Sequence, residues 1–192
     1  MIRTSQSFCR INETHGRARY ELIIIVKSSP TNAARRTIAP LGLPPDTVNR
    51  SRLLDALSNE ATRFDDIILT NFTDSYYNVT LKALLNLRFA HVACGAATPL
   101  FVFMDDDHGL NLTALLHYFH RFDEEKGHRD QLQRSIFGHI HKRPKVIRAA
   151  GDKWAVTRSE MPFNLYPDYA AGPCYFIGAE AVASLSIATA LT

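Results

Sequence analysis

No apolar run in this sequence is long enough to cross a bilayer. The longest, Leu22-Ile23-Ile24-Ile25-Val26, is bounded by Glu21 and Lys27, well short of the ~20 residues a membrane helix needs. It reads as a buried strand. The start of the chain, Met1-Ile2-Arg3-Thr4-Ser5-Gln6-Ser7, has no apolar stretch that could act as a signal peptide or anchor. Any membrane association is therefore expected through an anchor outside this chain. Cysteine is scarce, with 3 in the chain, and no two stand at CxxC spacing, which excludes a zinc ribbon or thioredoxin motif and allows at most one internal disulfide. Cys94 with Cys174 is one pairing open in an oxidising compartment. Charge of one sign is also lacking: 22 Lys and Arg stand against 19 Asp and Glu, a net +3. The basic stretch His139 to Arg148 lacks interleaved aromatics, so no nucleic-acid partner is expected.

With 192 residues and 46% hydrophobic content, the chain suffices for one domain with a real core. It divides into a stem-like segment, 1–20, and a domain from 21 to 192. Asparagine sequons are frequent for this composition: Asn12-Glu13-Thr14, Asn49-Arg50-Ser51, Asn71-Phe72-Thr73, Asn78-Val79-Thr80 and Asn111-Leu112-Thr113. Their number favours a glycosylated, lumenal protein. Asn12 and Asn49 lie in loop-like sequence and are the expected carriers, whereas Asn78 falls in the first turn of a helix.

Strand and helix signals alternate along the chain. Glu21 to Ser28 reads as a strand. Ser51 can cap a helix presenting Leu53, Leu54, Leu57, Ala61 and Phe64, and Ile67-Ile68-Leu69 suits a buried strand. Asp74-Ser75 can cap a second helix, presenting Leu81, Leu84 and Leu85. Leu100 to Met104 is a third buried strand, and Leu112, Leu115, Leu116 and Phe119 mark a helix by their i, i+3, i+4, i+7 spacing. This alternation predicts an α/β fold, an open and mostly parallel sheet flanked by helices. Asp123 to Arg148 is polar and reads as a surface loop over the sheet. Trp154-Ala155-Val156 and Tyr175-Phe176-Ile177 read as short strands, and Ala179 to Leu185 starts a last helix.

Chemistry concentrates where the third strand stops, at Asp105-Asp106-Asp107. Like charges this close repel unless a cation or donors compensate. A hard divalent ion, Mn²⁺ or Mg²⁺, would take such oxygens and bridge them to a diphosphate. The C-terminal end of a strand in an open α/β sheet is also where ligands bind. The competing reading is an acidic turn whose Asp107, or Asn111 beyond it, only caps the next helix. His139-x-His141 could bind zinc, but Lys142, Arg143 and Lys145 beside it would repel a cation. His117 and His120 read as ordinary helix-surface residues.

The segments Phe64-Asp65-Asp66-Ile67-Ile68, Asn71 to Lys82, Phe101-Val102-Phe103-Met104-Asp105-Asp106-Asp107, Lys153 to Thr157 and Tyr166-Pro167-Asp168-Tyr169-Ala170-Ala171-Gly172 follow one another in order. In that order they resemble the signature of the β-1,3-galactosyltransferase-like hexosyltransferases, in the style of the Brainiac branch, over about Ile24 to Leu185. The resemblance implies a GT-A-like fold and a Golgi-membrane enzyme working on the lumenal side. It also implies inverting transfer of galactose or N-acetylglucosamine from UDP-galactose or UDP-N-acetylglucosamine to the 3-hydroxyl of a glycan acceptor on glycolipid or glycoprotein, with Mn²⁺ or Mg²⁺ as cofactor. Carried over residue by residue, Asp107 and Asp105 are expected at the metal. Asp105, Asp106 and Lys82 are expected at the nucleotide sugar, and Tyr166, Tyr169 and Gly172 on the acceptor side. Trp154 and Tyr166 are aromatic faces of the kind that stack on sugars, and packing in the core is an equal alternative for each.

Three departures from the family pattern stand out. Arg35-Arg36-Thr37-Ile38 runs directly into Ala39-Pro40-Leu41-Gly42, where family members carry an Ile-Arg-x-Thr-Trp motif and a further strand. Phe103 stands where Lys is frequent. The family's acidic motif with its catalytic base is expected beyond Leu185, so the chain reads as a partial domain; Asp168 is a weak candidate for the base, but it and Glu160 lie in segments whose family counterparts frame the pocket, and neither is expected to be placed for that task. The alternative reading is a sugar-nucleotide-binding fragment or paralogue without transfer activity.

Overall fold

The computed structural model describes residues 9, 20–28, 40–41, 49–64, 66–69, 72, 78–95, 97–126 and 129–190. Its centre is β4 (Leu100–Asp105), in which Phe101, Val102 and Phe103 are fully buried. A strand covered on both faces reads as a continuous apolar run, as this one does. On one side it pairs in parallel with β1 (Ile23–Lys27), from Ile23 opposite Phe101 to Lys27 opposite Asp105. On the other it pairs antiparallel with β6 (Tyr169–Gly178), which in turn pairs antiparallel with β5 (Ile136–His141). The sheet order is β1-β4-β6-β5, and a separate parallel pair joins β2 (Pro40–Leu41) to β3 (Ile68–Leu69).

Helices cover both faces of the four-stranded sheet. Ile23, Ile25, Phe101, Phe103 and Ile177 pack against Leu87, Phe89, Ala90 and Cys94 of α2 (Val79–Cys94) and Val182 of α5 (Ala179–Ala188). On the opposite face Leu100 and Phe176 meet Leu115, Phe119 and Phe122 of α3 (Leu112–Lys126) and Leu132 of α4 (Arg129–Gln133). α1 (Arg50–Phe64) forms a satellite cluster through Leu53, Leu57 and Ala61 with Ile67. The expected α/β sandwich is present. Its sheet is mixed: the parallel expectation holds for β1–β4 and β2–β3, and the ladder turns antiparallel at β6.

Several local expectations are corrected. The polar region 123–148 is not only a surface loop, since it contains α4 and the edge strand β5. An edge strand with one packed side chain, Phe137, needs little hydrophobicity, so its signal is weak. Trp154-Ala155-Val156 forms no strand. The Trp154 and Ala155 amides turn back to Asp152, to its Oδ1 at 2.8 Å and its carbonyl at 3.0 Å, and the Val156 amide donates to the Ile147 carbonyl at 3.0 Å. α1 starts one residue before Ser51, and Asn49, at φ 57°, takes the cap position by accepting the Leu53 amide at 3.1 Å. The expected cap of α2, Asp74-Ser75, lies outside the described residues. That helix buries Lys82, Asn86, Ala90 and Cys94, each four residues from the last, while Leu81 is exposed. α2 is held between sheet and α5, and its contact stripe is selected by that geometry.

Cys94 bonds to Cys9, and Cys174 keeps its thiol. The pairing of Cys94 with Cys174 is excluded by β4. Cys94 precedes the start of that strand, whereas Cys174 stands opposite Met104 near its end, ~13 Å along and beyond disulfide reach. Burial pushes the Cys174 thiol pKa up, against the opposing pull of Lys27.

Candidate active site

At the C-terminal end of β4 the chain leaves the sheet through Asp105-Asp106-Asp107. The turn closes when the His108 amide donates to the Asp105 carbonyl at 3.3 Å. Capping of α3 is done by Asn111, whose Oδ1 accepts the Ala114 amide at 3.0 Å. The three carboxylates therefore serve other purposes. Asp105 Oδ1 lies 2.9 Å from Lys27 Nζ. Asp106 Oδ2 accepts from Ser28 Oγ at 2.5 Å. Asp107 is the most exposed, with Oδ1 2.6 Å from His108 Nδ1. Repulsion within the triplet is thus answered separately at each member by a cation or a donor.

These residues form one wall of an open cleft of about 1310 Å³. Lys82, buried on α2, belongs to the same wall and donates from Nζ to the Ser28 carbonyl at 3.2 Å. The facing wall comes from β5, the start of β6 and the chain between them: His141, Lys145, Lys153, Trp154, Tyr166, Tyr169 and Gly172. Trp154 is 56% exposed, which removes the core-packing reading for it, and Lys153 Nζ sits 4.1 Å from its ring centroid. The Tyr169 ring centroid is 5.0 Å from that of His141 and 6.0 Å from that of Tyr166. Behind the cleft Tyr175 stacks on Phe103 at 5.3 Å. Burial, with Asp105 adding to it, pushes the Tyr175 hydroxyl pKa up to about 12.

Asp105, Asp106, Asp107, Lys82, Tyr166, Tyr169 and Gly172 all border this one cavity. Asp168 and Glu160 do not. Asp168 Oδ1 accepts the Arg143 amide at 3.0 Å and so holds a residue at φ 45°. Glu160 accepts from the Thr157 amide and hydroxyl, and these bonds lower its carboxyl pKa. Asn49 is exposed at the start of α1 and does not line the cleft, and Asn12 lies outside the described residues. His139 and His141 stand 4.8 Å apart, but among the described residues no group of three or more His, Cys, Asp or Glu could hold a metal ion. At the aspartate triplet this means that protein oxygens alone would not complete a coordination shell.

Sequence reasoning missed Lys27 and Ser28. Lys27, noted only as the charge ending the first apolar run, reaches both Asp105 and the Gly172 carbonyl, the latter at 2.8 Å. The signal available was a lysine closing one buried strand and an aspartate closing the next.

Residues 41–191 match the family model described as Galactosyltransferase. The human lactosylceramide 1,3-N-acetyl-beta-D-glucosaminyltransferase is 32% identical over 157 residues, covering 82% of this chain and 40% of that protein. The Danio rerio lactosylceramide 1,3-N-acetyl-beta-D-glucosaminyltransferase A is 27% identical over 191 residues, covering 88% of this chain and 48% of that protein. The Mus musculus counterpart is 30% identical over 157 residues, covering 82% and 40%. The chain spans less than half the length of these relatives.

Proposed function

The chain belongs to the galactosyltransferase family, and from that premise we propose that its cleft is the nucleotide-sugar site of a β-1,3-glycosyltransferase. The observation that carries this reading is the convergence of Asp105, Asp106, Asp107 and Lys82 on one wall, opposite the exposed aromatics Trp154 and Tyr169. A diphosphate needs positive charge, and a sugar favours an aromatic face. UDP-N-acetylglucosamine is the proposed donor, ahead of UDP-galactose, and a glycolipid the proposed acceptor, ahead of a glycoprotein, because the relatives are named for lactosylceramide and N-acetylglucosaminyl transfer.

In the proposed reaction the acceptor 3-hydroxyl attacks the anomeric carbon, the bond from that carbon to the β-phosphate oxygen breaks, and UDP leaves. Asp107, with Asp105 beside it, would hold Mn²⁺ or Mg²⁺, the remaining ligands being diphosphate or water oxygens. Such an ion supplies positive charge to the leaving group. Lys82 would set the local charge near the diphosphate, and Tyr166, Tyr169 and Gly172 would shape the acceptor side. The hydroxyl proton must go to a base, and the hydrogen bonds of Asp168 and Glu160 to Arg143 and Thr157 argue against either one. That observation favours a second reading, sugar-nucleotide binding without efficient transfer by this chain.

The Cys9–Cys94 disulfide and the sequons support a lumenal, oxidising setting such as the Golgi. Among the described residues no helix is long and apolar enough to cross a membrane.

Calorimetric titration with UDP and Mn²⁺ tests the site. Wild type is expected to bind, and Asp107→Asn, which removes a negative oxygen at constant volume, is expected to lose Mn²⁺-dependent binding. Undiminished binding by the variant would overturn the metal assignment. Transfer assays with both UDP-sugars separate the two readings: the binding-only reading expects turnover about 10²–10⁴-fold below that of a longer relative.

A further inference from the structure

We propose that Lys27 is a positioning residue that ties the two walls of the cleft together, acting through Asp105 on one side and the Gly172 carbonyl on the other. This rests on the reading of the cleft as a UDP-sugar site. Lys27 closes β1, yet Gly172 belongs to β6, and β4 runs between them. Strands two apart in a sheet are separated by ~9–10 Å, a span that an extended lysine with one hydrogen bond can bridge. Its ammonium lies 2.9 Å from Asp105 Oδ1 and 2.8 Å from the Gly172 carbonyl. The side chain is 11% exposed, so a charge has been drawn largely out of water, which is unfavourable without such partners.

The β4–β6 ladder shows why a tether is needed at this point. Its last registered pair is Met104 with Cys174, and continuing the register would bring Asp105 opposite Pro173. Proline has no N–H to donate, so the ladder ends there. From this point toward Tyr169, β6 is paired only with β5, through Ala170 opposite Ile140 and Tyr169 opposite His141. The segment that carries Tyr169 and Gly172 into the cleft is thus detached from β4, and Lys27 reattaches it. The same ammonium offsets the charge of Asp105 beside Asp106 and Asp107. One side chain therefore sets both the spacing of the walls and the electrostatics of the triplet.

The test combines amide hydrogen exchange over residues 169–172 with calorimetric titration by UDP and Mn²⁺, on the whole chain. Lys27→Met keeps the stem and removes the donors. It is expected to speed exchange over this segment by about tenfold or more, the scale of a lost charged hydrogen bond, with β4 and α2 unchanged. UDP affinity is expected to fall about tenfold in Lys27→Met, because the two walls lose their spacing, and to stay near the wild-type value in Lys27→Arg. Lys27→Arg, which keeps charge and reach, is expected to restore slow exchange. Asp105→Asn alone leaves the bond to Gly172 and should not speed exchange at 169–172, which keeps the idea testable if Lys27→Met fails to fold. Unchanged exchange in Lys27→Met, acceleration spread evenly over β4 and α2, or a loss of affinity in Lys27→Arg equal to that in Lys27→Met would overturn the proposal. Absence of UDP binding by wild type would instead overturn the reading of the cleft, while exchange still decides the tether.

Discussion

Replacing Arg148 is expected to open the facing wall of the cleft without unfolding the domain. Its guanidinium donates to three backbone carbonyls, from Nη1 to Val156 at 2.6 Å and from Nη2 to Met161 at 2.5 Å and Phe163 at 2.8 Å. It thereby gathers the loop that presents Lys153 and Trp154 to the cleft. Hydrogen bonds from a charged donor contribute about 1.5–3 kcal/mol each. Two terms reduce the sum: Arg148 Nε is buried without a partner, and water can reach part of the loop once it opens. A net local stabilisation of about 2–4 kcal/mol follows, or about 10²-fold in the opening equilibrium. Arg148→Met should therefore raise tryptic cleavage after Lys153 and Arg158 by about that factor, if opening is fast relative to cleavage. The thermal midpoint should change little, because the sheet core contains none of these contacts. Arg148→Lys, which can satisfy one carbonyl rather than a planar set of three, should fall between. Cleavage at the wild-type rate in Arg148→Met would refute the claim that this side chain holds the loop.

Asn86→Leu should stabilise the domain by about 1–3 kcal/mol, read as a higher urea midpoint at constant slope. Both side-chain polar atoms of Asn86 are without hydrogen-bond partners at 1% exposure, and a drop in the midpoint would contradict this. Tyr175 holds its proton up to about pH 12 when folded, against about 10 in an unfolded chain. Its contribution of about 2–3 kcal/mol is present below pH 10 and lost between pH 10 and about 12. Tyr175→Phe should flatten that part of the stability profile, and an unchanged profile would refute the assignment. Expression through a secretory pathway should yield a protein whose gel mobility increases on enzymatic removal of N-glycans, with Asn49 a carrier because it is exposed at the start of α1. Retention of the full shift in Asn49→Gln would remove Asn49 from the carriers.

The sequence by itself determined β4, α3 and the aspartate triplet, because each is encoded by near neighbours: an unbroken apolar run, a helical period, an abrupt change to carboxylates. The ordered motifs also determined the family and singled out Lys82, Tyr166, Tyr169 and Gly172 as candidates, and the fold places all four on the lining of one cavity. Tertiary structure decided what depends on partners distant in sequence. Lys27 gains its meaning from Gly172, 145 residues on, and Ser28 from Asp106, 78 residues on. Cys94 pairs with Cys9, while β4 keeps it apart from Cys174, and α2 buries a stripe headed by Lys82 and Asn86 because sheet and α5 leave that side no solvent. Asp168 and Glu160 were not expected to serve as the base, and the backbone around them directs those carboxylates to Arg143 and Thr157. Hydrophobic period and capping are local properties of a chain, whereas the pairing of a charge is set by whichever strand or loop the fold brings beside it.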